Sequence, residues 1–257
     1  MSDVKICVSC HKDCLIADSS LLLPVQAGAD TARQRLDMTG DNTGDNISAK
    51  NGRYCELSVQ YWAWKNLEAD FYGFFHYRRY MAFDTSVDKD EIKLDYPNGN
   101  KAKSLLTADD NIRALTDSFP LILPRKHKSR YLLNNRWQYA LPAAQNIKDL
   151  QFCIDKIKAD YPDMRDCAHV FLKERSSYYY NMFVMSKELF FPYCSWLFDI
   201  LFEHEKHCDL PRKSLAAQRV SGYLGERLCS IYVKYLQECK GINALHCPVI
   251  IFDKPCN

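Results

Sequence analysis

The sequence predicts an α/β protein: one domain over residues 1–257, with a mostly parallel central sheet covered by helices on both faces. Three observations carry this. Short apolar, β-prone runs alternate with longer segments of helical periodicity, which implies crossover connections and a buried parallel sheet. A chain of 257 residues, 47% of them hydrophobic, has enough material for one large core. No internal repeat and no composition shift marks a domain boundary.

Taken in order, Val4–Val8 and Leu21–Ala27 are short β-prone runs. Residues 28–52, rich in Gly, Asp, Asn and Thr, read as a long loop of the kind compact domains keep for function. Tyr54–Asn66 lacks Gly and Pro and carries Leu57, Tyr61, Trp62 and Trp64, which predicts a helix. Phe71–Tyr80 reads as a buried strand with a charged tip. Residues 84–104, with mixed charge and Pro97-Asn98-Gly99-Asn100, read as a mobile polar excursion. Thr107-Ala108-Asp109-Asp110 resembles a capping box opening a helix through Leu115. Phe119–Leu123 is a strand stopped by Pro124, and Ile147–Asp160 an amphipathic helix ending near Pro162. Tyr178–Met185 is strongly β-prone. The helices Lys187–Glu205 and Tyr223–Glu238 follow.

Composition excludes several classes. With 34 Lys+Arg against 32 Asp+Glu, the net charge of +2 gives no broad basic field for sequence-independent nucleic-acid binding. The start, Met1-Ser2-Asp3-Val4-Lys5, has no apolar run or cleavage site of an export signal, and no stretch reaches the roughly 18 apolar residues of a membrane span. A cytoplasmic location is therefore expected, with the 12 cysteines reduced and serving as small buried hydrophobes. Cys7-Val8-Ser9-Cys10-His11 matches a haem attachment spacing, with Cys14 nearby. Haem attachment needs export, however, and a zinc site needs a second ligand pair that His204, His207 and Cys208 do not supply. A strand running into a loop is the simpler reading.

In open α/β sheets ligands bind beyond the carboxyl ends of the strands. There the sequence collects His11 and Lys12 after the first strand, and Gly28 after the second. That glycine opens the loop bearing Asp45, Asn46 and Ser48. His76-Tyr77-Arg78-Arg79-Tyr80 follows the run Gly73-Phe74-Phe75, and Asn181 interrupts an apolar stretch. Adjacent guanidiniums after a buried strand call for an anion, and arginine suits bidentate phosphate contact. Structural ion pairs are the competing account of Arg78 and Arg79. On an extended segment the two would face opposite sides.

Six blocks occur in order: Pro24-Val25-Gln26-Ala27-Gly28-Ala29, Gly44-Asp45-Asn46-Ile47-Ser48, Tyr61-Trp62-Ala63-Trp64-Lys65-Asn66, His76-Tyr77-Arg78-Arg79-Tyr80, Asn181-Met182-Phe183 and Gly225-Glu226-Arg227-Leu228. Together they resemble a family of bacterial capsule, exopolysaccharide and O-antigen (lipopolysaccharide) biosynthesis proteins, long catalogued as a domain of unknown function. The resemblance spans about Val4 to Ile231. It implies a GT-A-like, Rossmann-like nucleotide-sugar fold and a hexosyltransferase that moves galactose or galactofuranose from a UDP-sugar.

GT-A enzymes usually place an Asp-x-Asp metal site where this chain carries His76-Tyr77-Arg78-Arg79. The resemblance therefore implies transfer without a required metal or other cofactor, a guanidinium neutralising the leaving diphosphate. Asp88-Lys89-Asp90 fits Asp-x-Asp but lies in the polar excursion. By the same resemblance His11, Lys12, Gly28, Asn46, Glu56, Lys65, Arg78, Arg79 and Asn181 are donor-site candidates. Service to the helix dipole is the competing account of Glu56, and Trp62 and Trp64 read as core rather than base-stacking residues. Glu226 is the candidate general base, with a structural pair to Arg219 or Arg227 as the competing account. Asp45 and His76 are runners-up.

The expected acceptor is a lipid-linked or growing saccharide. Arg125, Lys126, Lys128 and Arg130 are candidates for anionic headgroups and peripheral contact with the inner membrane face. The apolar stripe of Leu189–Phe202 reads as core before membrane. A non-catalytic nucleotide-sugar or glycan-binding protein on the same scaffold is the rival reading. Clustering of Arg78 or Arg79 with Asn181 and Glu226 would separate the two, because a binder has no use for a positioned base.

Overall fold

The computed structural model describes residues 2–129, 132–208 and 214–255. The first half runs β1 (Val4–Cys10), β2 (Leu22–Gln26), β3 (Thr39–Gly40), α1 (Asn51–Tyr54), α2 (Leu57–Asn66), β4 (Phe71–His76), β5 (Arg79–Met81) and β6 (Glu91–Leu94). Then come α3 (Asn100–Leu106), α4 (Asp109–Ser118), β7 (Leu121–Pro124), β8 (His127–Lys128), α5 (Asn135–Ala140), α6 (Ile147–Asp160) and α7 (Arg165–Lys173). The chain closes with β9 (Ser176–Ser177), β10 (Phe183–Ser186), α8 (Lys187–His207), α9 (Leu215–Gln218), α10 (Val220–Glu238), β11 (Ala244–Cys247) and β12 (Val249–Phe252).

Among the described residues, one sheet has the main path β11-β7-β10-β4-β1-β2-β3, with β5, β6 and β12 joined beside it. Strands β2 and β4 run parallel to β1, β3 to β2 and β11 to β7, while β10 runs antiparallel to both β4 and β7. The path is thus parallel apart from β10. Alternation along the strands feeds two cores: Cys7, Tyr72, Phe74, Leu121 and Phe183 pack under α2, α6, α7, α8 and α10. Ile6, Val8, Phe71, Phe75, Ile122 and Val184 face the opposite side, where α3 and α4 cover them. Helices on both faces satisfy what the continuous apolar strands require.

Cys7 and Cys10 belong to opposite cores, so this strand cannot bring both thiols to one haem or zinc. The stripe of α8 is core: Tyr193, Trp196, Leu197, Ile200 and Leu201 are buried. No helix among the described residues is long and apolar enough to cross a membrane.

Several local expectations change. The 54–66 helix is broken at Cys55, which takes φ 53° and separates α1 from α2. Phe71–Tyr80 is a tight hairpin rather than one strand, with His76 opposite Arg79. Residues 84–104 contain β6 and the start of α3, because β12 supplies β6 with a parallel partner distant in sequence. The capping box is not formed. Ala108 is the N-cap of α4, and Asp109 instead accepts hydrogen bonds from Ser19 Oγ (2.6 Å) and the Ser20 amide (2.8 Å). The β-prone run from Tyr178 yields strand only from Phe183, because Tyr180 and Asn181 are left-handed (φ 73° and 50°).

Candidate functional site

A cleft opens at the carboxyl ends of β1, β2 and β4. One cavity, of about 300 Å³, is lined by Ser9, His11, Asn51, Glu56, His76 and Arg219, among others. A second, of about 420 Å³, shares His11, Ala27 and Asn51 with it and adds Lys12, Gly28 and Arg33. Together they form a continuous groove of the size small-molecule sites occupy. Its floor is fixed by Asp41, fully buried, which accepts hydrogen bonds from the Gly28 and Ala29 amides (2.9 and 3.0 Å) and from the Ser48 and Ser58 hydroxyls. Gly28 sits at φ +67°, and a Cβ there would fall 2.8 Å from Asn51, so glycine is required.

The reversed strand organises the centre of the site. Phe183, the first residue of β10, lies opposite Phe74, two residues before the end of β4. The amino end of β10 therefore meets the carboxyl end of β4. The left-handed pair Tyr180-Asn181 then holds two carboxylates. The Tyr180 amide donates to Glu226 Oε1 (2.8 Å), and Asn181 Nδ2 donates to Glu56 Oε1 (2.7 Å). Consecutive left-handed non-glycine residues are costly, and strain of this kind is characteristically kept at functional sites.

Helix α10 reaches this point through small residues. A Cβ on Gly222 would lie 3.0 Å from Cys55 Sγ, and one on Gly225 would lie 2.7 Å from Leu57 Cδ1 and 3.2 Å from Asn181 Oδ1. The close approach puts Glu226 next to Tyr180.

Electrostatics divides the groups. Burial pushes the Glu226 carboxyl up to about 7, against the pull of Arg227 and of the Tyr180 amide; the Glu56 charge adds to the rise. Burial also raises Glu56, although Asn181, Arg219 and Arg79 favour its charged form. His76 is lowered to about 3 by burial and then by His11, Arg79, Arg78 and Arg219, which keeps it neutral and weakly basic. His11 is lowered by burial, Arg219 and Lys12.

The arginines separate. Arg78, at the hairpin turn, is exposed. Arg79 is half-buried, with its guanidinium 4.4 Å from the Tyr180 ring centroid and a buried Nε that has no hydrogen-bond partner. Asn181 Oδ1 is likewise buried without a partner. Arg227 donates to Ser177 Oγ (3.1 Å) and packs on Tyr179, and Arg219 Nε donates to Cys55 Sγ (3.2 Å). Neither forms an ion pair with Glu226 among the described residues.

Of the expected residues, His11, Lys12, Gly28, Glu56 and His76 line the groove; Asn181 is tied to it through Glu56, Arg79 lies against Tyr180, and Glu226 lines a separate cavity beside Tyr180. Asp45, Asn46 and Lys65 line neither cavity. Asp45 accepts from Tyr61 Oη (3.1 Å), Asn46 bonds within its own loop, and Lys65 lies over Trp64 at the opposite end of α2 from Glu56. Arg125 is committed to the Val87 and Asp88 carbonyls and lies 3.6 Å from Asp90, so Asp88-Lys89-Asp90 is occupied at the sheet edge. Lys126 lies over Tyr178, Lys128 is exposed, and Arg130 falls outside the described residues. Arg219, Asn51 and Asp41 were not legible as site residues. The nearest signal was Arg219 standing three residues before Gly222.

Among the described residues the group with ligand atoms close enough to share an ion is Asp149, His204 and Cys208, which lines neither cavity. His204 is already committed there: Arg53 can only donate, so it fills Nδ1 (3.1 Å), leaving the Nε2 proton for Asp149 (3.0 Å).

The class defined by fold and site is an α/β protein with a small-molecule-sized cleft at the carboxyl ends of its parallel strands and two carboxylates held by a left-handed turn. Residues 5–238 match the family described as Domain of unknown function (DUF4422), and the chain belongs to that family. Among solved structures, the chain is similar to the apo structure of WbbM, a bifunctional glycosyltransferase, with 29% sequence identity and a TM-score of 0.91. The match covers 98% of this chain and 46% of that one, so the chain spans about half the length of WbbM. No curated protein matches the chain.

Proposed function

We propose that the protein is a hexosyltransferase that transfers galactose or galactofuranose from a UDP-sugar to a saccharide acceptor of a cell-surface polysaccharide such as capsule or O-antigen. It would work as one catalytic domain. The observation that carries this reading is the paired mounting of Glu56 and Glu226 on Asn181 and Tyr180, beside the cationic groove. A pure binder needs the groove but not a carboxylate held near neutrality. The similarity to a bifunctional glycosyltransferase supports the same conclusion.

In this reading the nucleotide lies along His11, Lys12 and the Gly28 turn. Arg79, with its uncommitted Nε, and Arg219 neutralise the diphosphate as it leaves. Asn181 Oδ1 accepts a hydroxyl of the donor sugar, and Glu226 takes the proton of the attacking acceptor hydroxyl. Arginine does the electrostatic work that a divalent metal does elsewhere, so no metal is required. The protein would act in the cytoplasm on a lipid-linked acceptor at the membrane face, with Lys126 and Lys128 available to anionic headgroups.

Calorimetry with UDP, UDP-galactose and UDP-galactofuranose, with EDTA or with manganese, tests this. Micromolar binding that persists in EDTA and weakens at least tenfold in Arg79→Ala is expected. Restoration of binding by manganese alone would overturn the metal-independent reading, and silence of all three ligands would overturn the UDP-sugar reading.

A further inference from the structure

Beyond Glu226 lies another cavity, of about 440 Å³, lined by Lys128, Gln138, Gln145, Tyr179, Tyr223 and Glu226, among others. Tyr180 is the partition. Arg79 stacks on its ring at 4.4 Å, and the His127 ring also contacts it, with centroids 5.5 Å apart. Its amide holds Glu226 toward this cavity, while the next residue holds Glu56 toward the donor groove.

The lining chemistry is selective. Gln138 Oε1 and Gln145 Oε1 are both buried acceptor atoms without a hydrogen-bond partner. Leaving such atoms unmet costs free energy, which a ligand hydroxyl would recover. Tyrosine faces offer apolar platforms for the C–H faces of a sugar ring. Of the lining cations, Arg227 is spent on Ser177 and Tyr179, while Lys128 is exposed. Two unmet acceptor oxygens and three tyrosines suit a hydroxyl-bearing ring, with Lys128 as the exposed cation among the described lining residues.

Resting on the glycosyl-transfer reading, we propose that this cavity is the acceptor subsite. It binds the terminal sugar residue of the acceptor, with Gln138 and Gln145 accepting its hydroxyls and Tyr179 and Tyr223 packing on its ring. One acceptor hydroxyl oxygen attacks the donor anomeric carbon across Glu226. The bond from that carbon to the diphosphate oxygen breaks, its electron pair leaves with the diphosphate, and the hydroxyl proton passes to the Glu226 carboxylate.

Saturation-transfer NMR on the full chain with methyl β-galactopyranoside, methyl α-glucopyranoside and methyl N-acetylglucosaminide, in the presence of UDP, tests the assignment. At least one glycoside is expected to bind and to weaken about tenfold or more in Gln138→Leu/Gln145→Leu. UDP calorimetry on the same variant reports whether the fold and the donor groove are intact. UDP binding with no glycoside signal, or a signal unchanged in the variant, overturns the subsite. Glycoside binding lost in the variant, with UDP silent even in the wild type, overturns the transfer reading while upholding a saccharide site here.

Discussion

Glu226 has one of its oxygens held by the Tyr180 amide and no ion-pair partner among the described residues, so burial dominates its titration and lifts it to about 7. A base must be ionised to work, so activity should rise with pH through that value. Glu226→Gln keeps the amide's acceptor and should lower turnover 100-fold or more, within the range general bases contribute, while UDP affinity stays within threefold. The sign for stability is opposite. A carboxyl raised in the fold favours the neutral form, so its contribution is present below the ordinary value of 4.5 and is lost as pH rises through about 7. Urea titrations should show the Gln variant less pH-dependent than the wild type across that window. Equal pH dependence of rate and stability in the two proteins would remove Glu226 as base. At this scale the sequence exposed Glu226, Asn181 and the arginine pair as chemistry out of place, but it could not choose between the arginines. The hairpin distinguishes them in exposure, leaving Arg78 at the exposed turn and laying Arg79 against Tyr180.

At the scale of elements, α10 can approach the Cys55 turn and Asn181 only because Gly222 and Gly225 lack side chains. Alanine is the better helix former, so Gly225→Ala would stabilise an isolated helix by up to about 1 kcal/mol. Here its Cβ meets the fully buried Leu57 and crowds Asn181, and overpacking should win, with a net loss of about 1–3 kcal/mol in urea unfolding. UDP affinity should fall with it, since Asn181 carries Glu56. A stabilised variant with normal UDP binding would show that the contact is not tight. The helix periods of α2, α6 and α8 were legible because apolar faces recur at helical spacing. Strands β11 and β12 and the 84–104 elements were not, because their partners are remote in sequence.

For the whole molecule, the site rests on a sheet whose two faces are packed independently. Phe183, fully buried between Phe74, Phe190 and Tyr193, ties β10 to α8 directly beneath the left-handed pair. Phe183→Ala should cost about 3–5 kcal/mol in chemical unfolding, the usual loss for a buried aromatic truncation. The expectation fails if the unfolding midpoint is unchanged. Taken alone, the sequence determined the α/β class, the helices on both faces of the sheet and the stock of anion-binding and acid–base groups. Each of these follows from local periodicity and residue chemistry. Only the tertiary structure decided which of those groups share a cleft. The left-handed turn before β10 brings Asn181 to Glu56, the hairpin after β4 leaves Arg78 exposed and Arg79 half-buried, and α2 carries Lys65 away from Glu56. Such choices depend on strand direction and long-range register, which no local stretch of residues encodes.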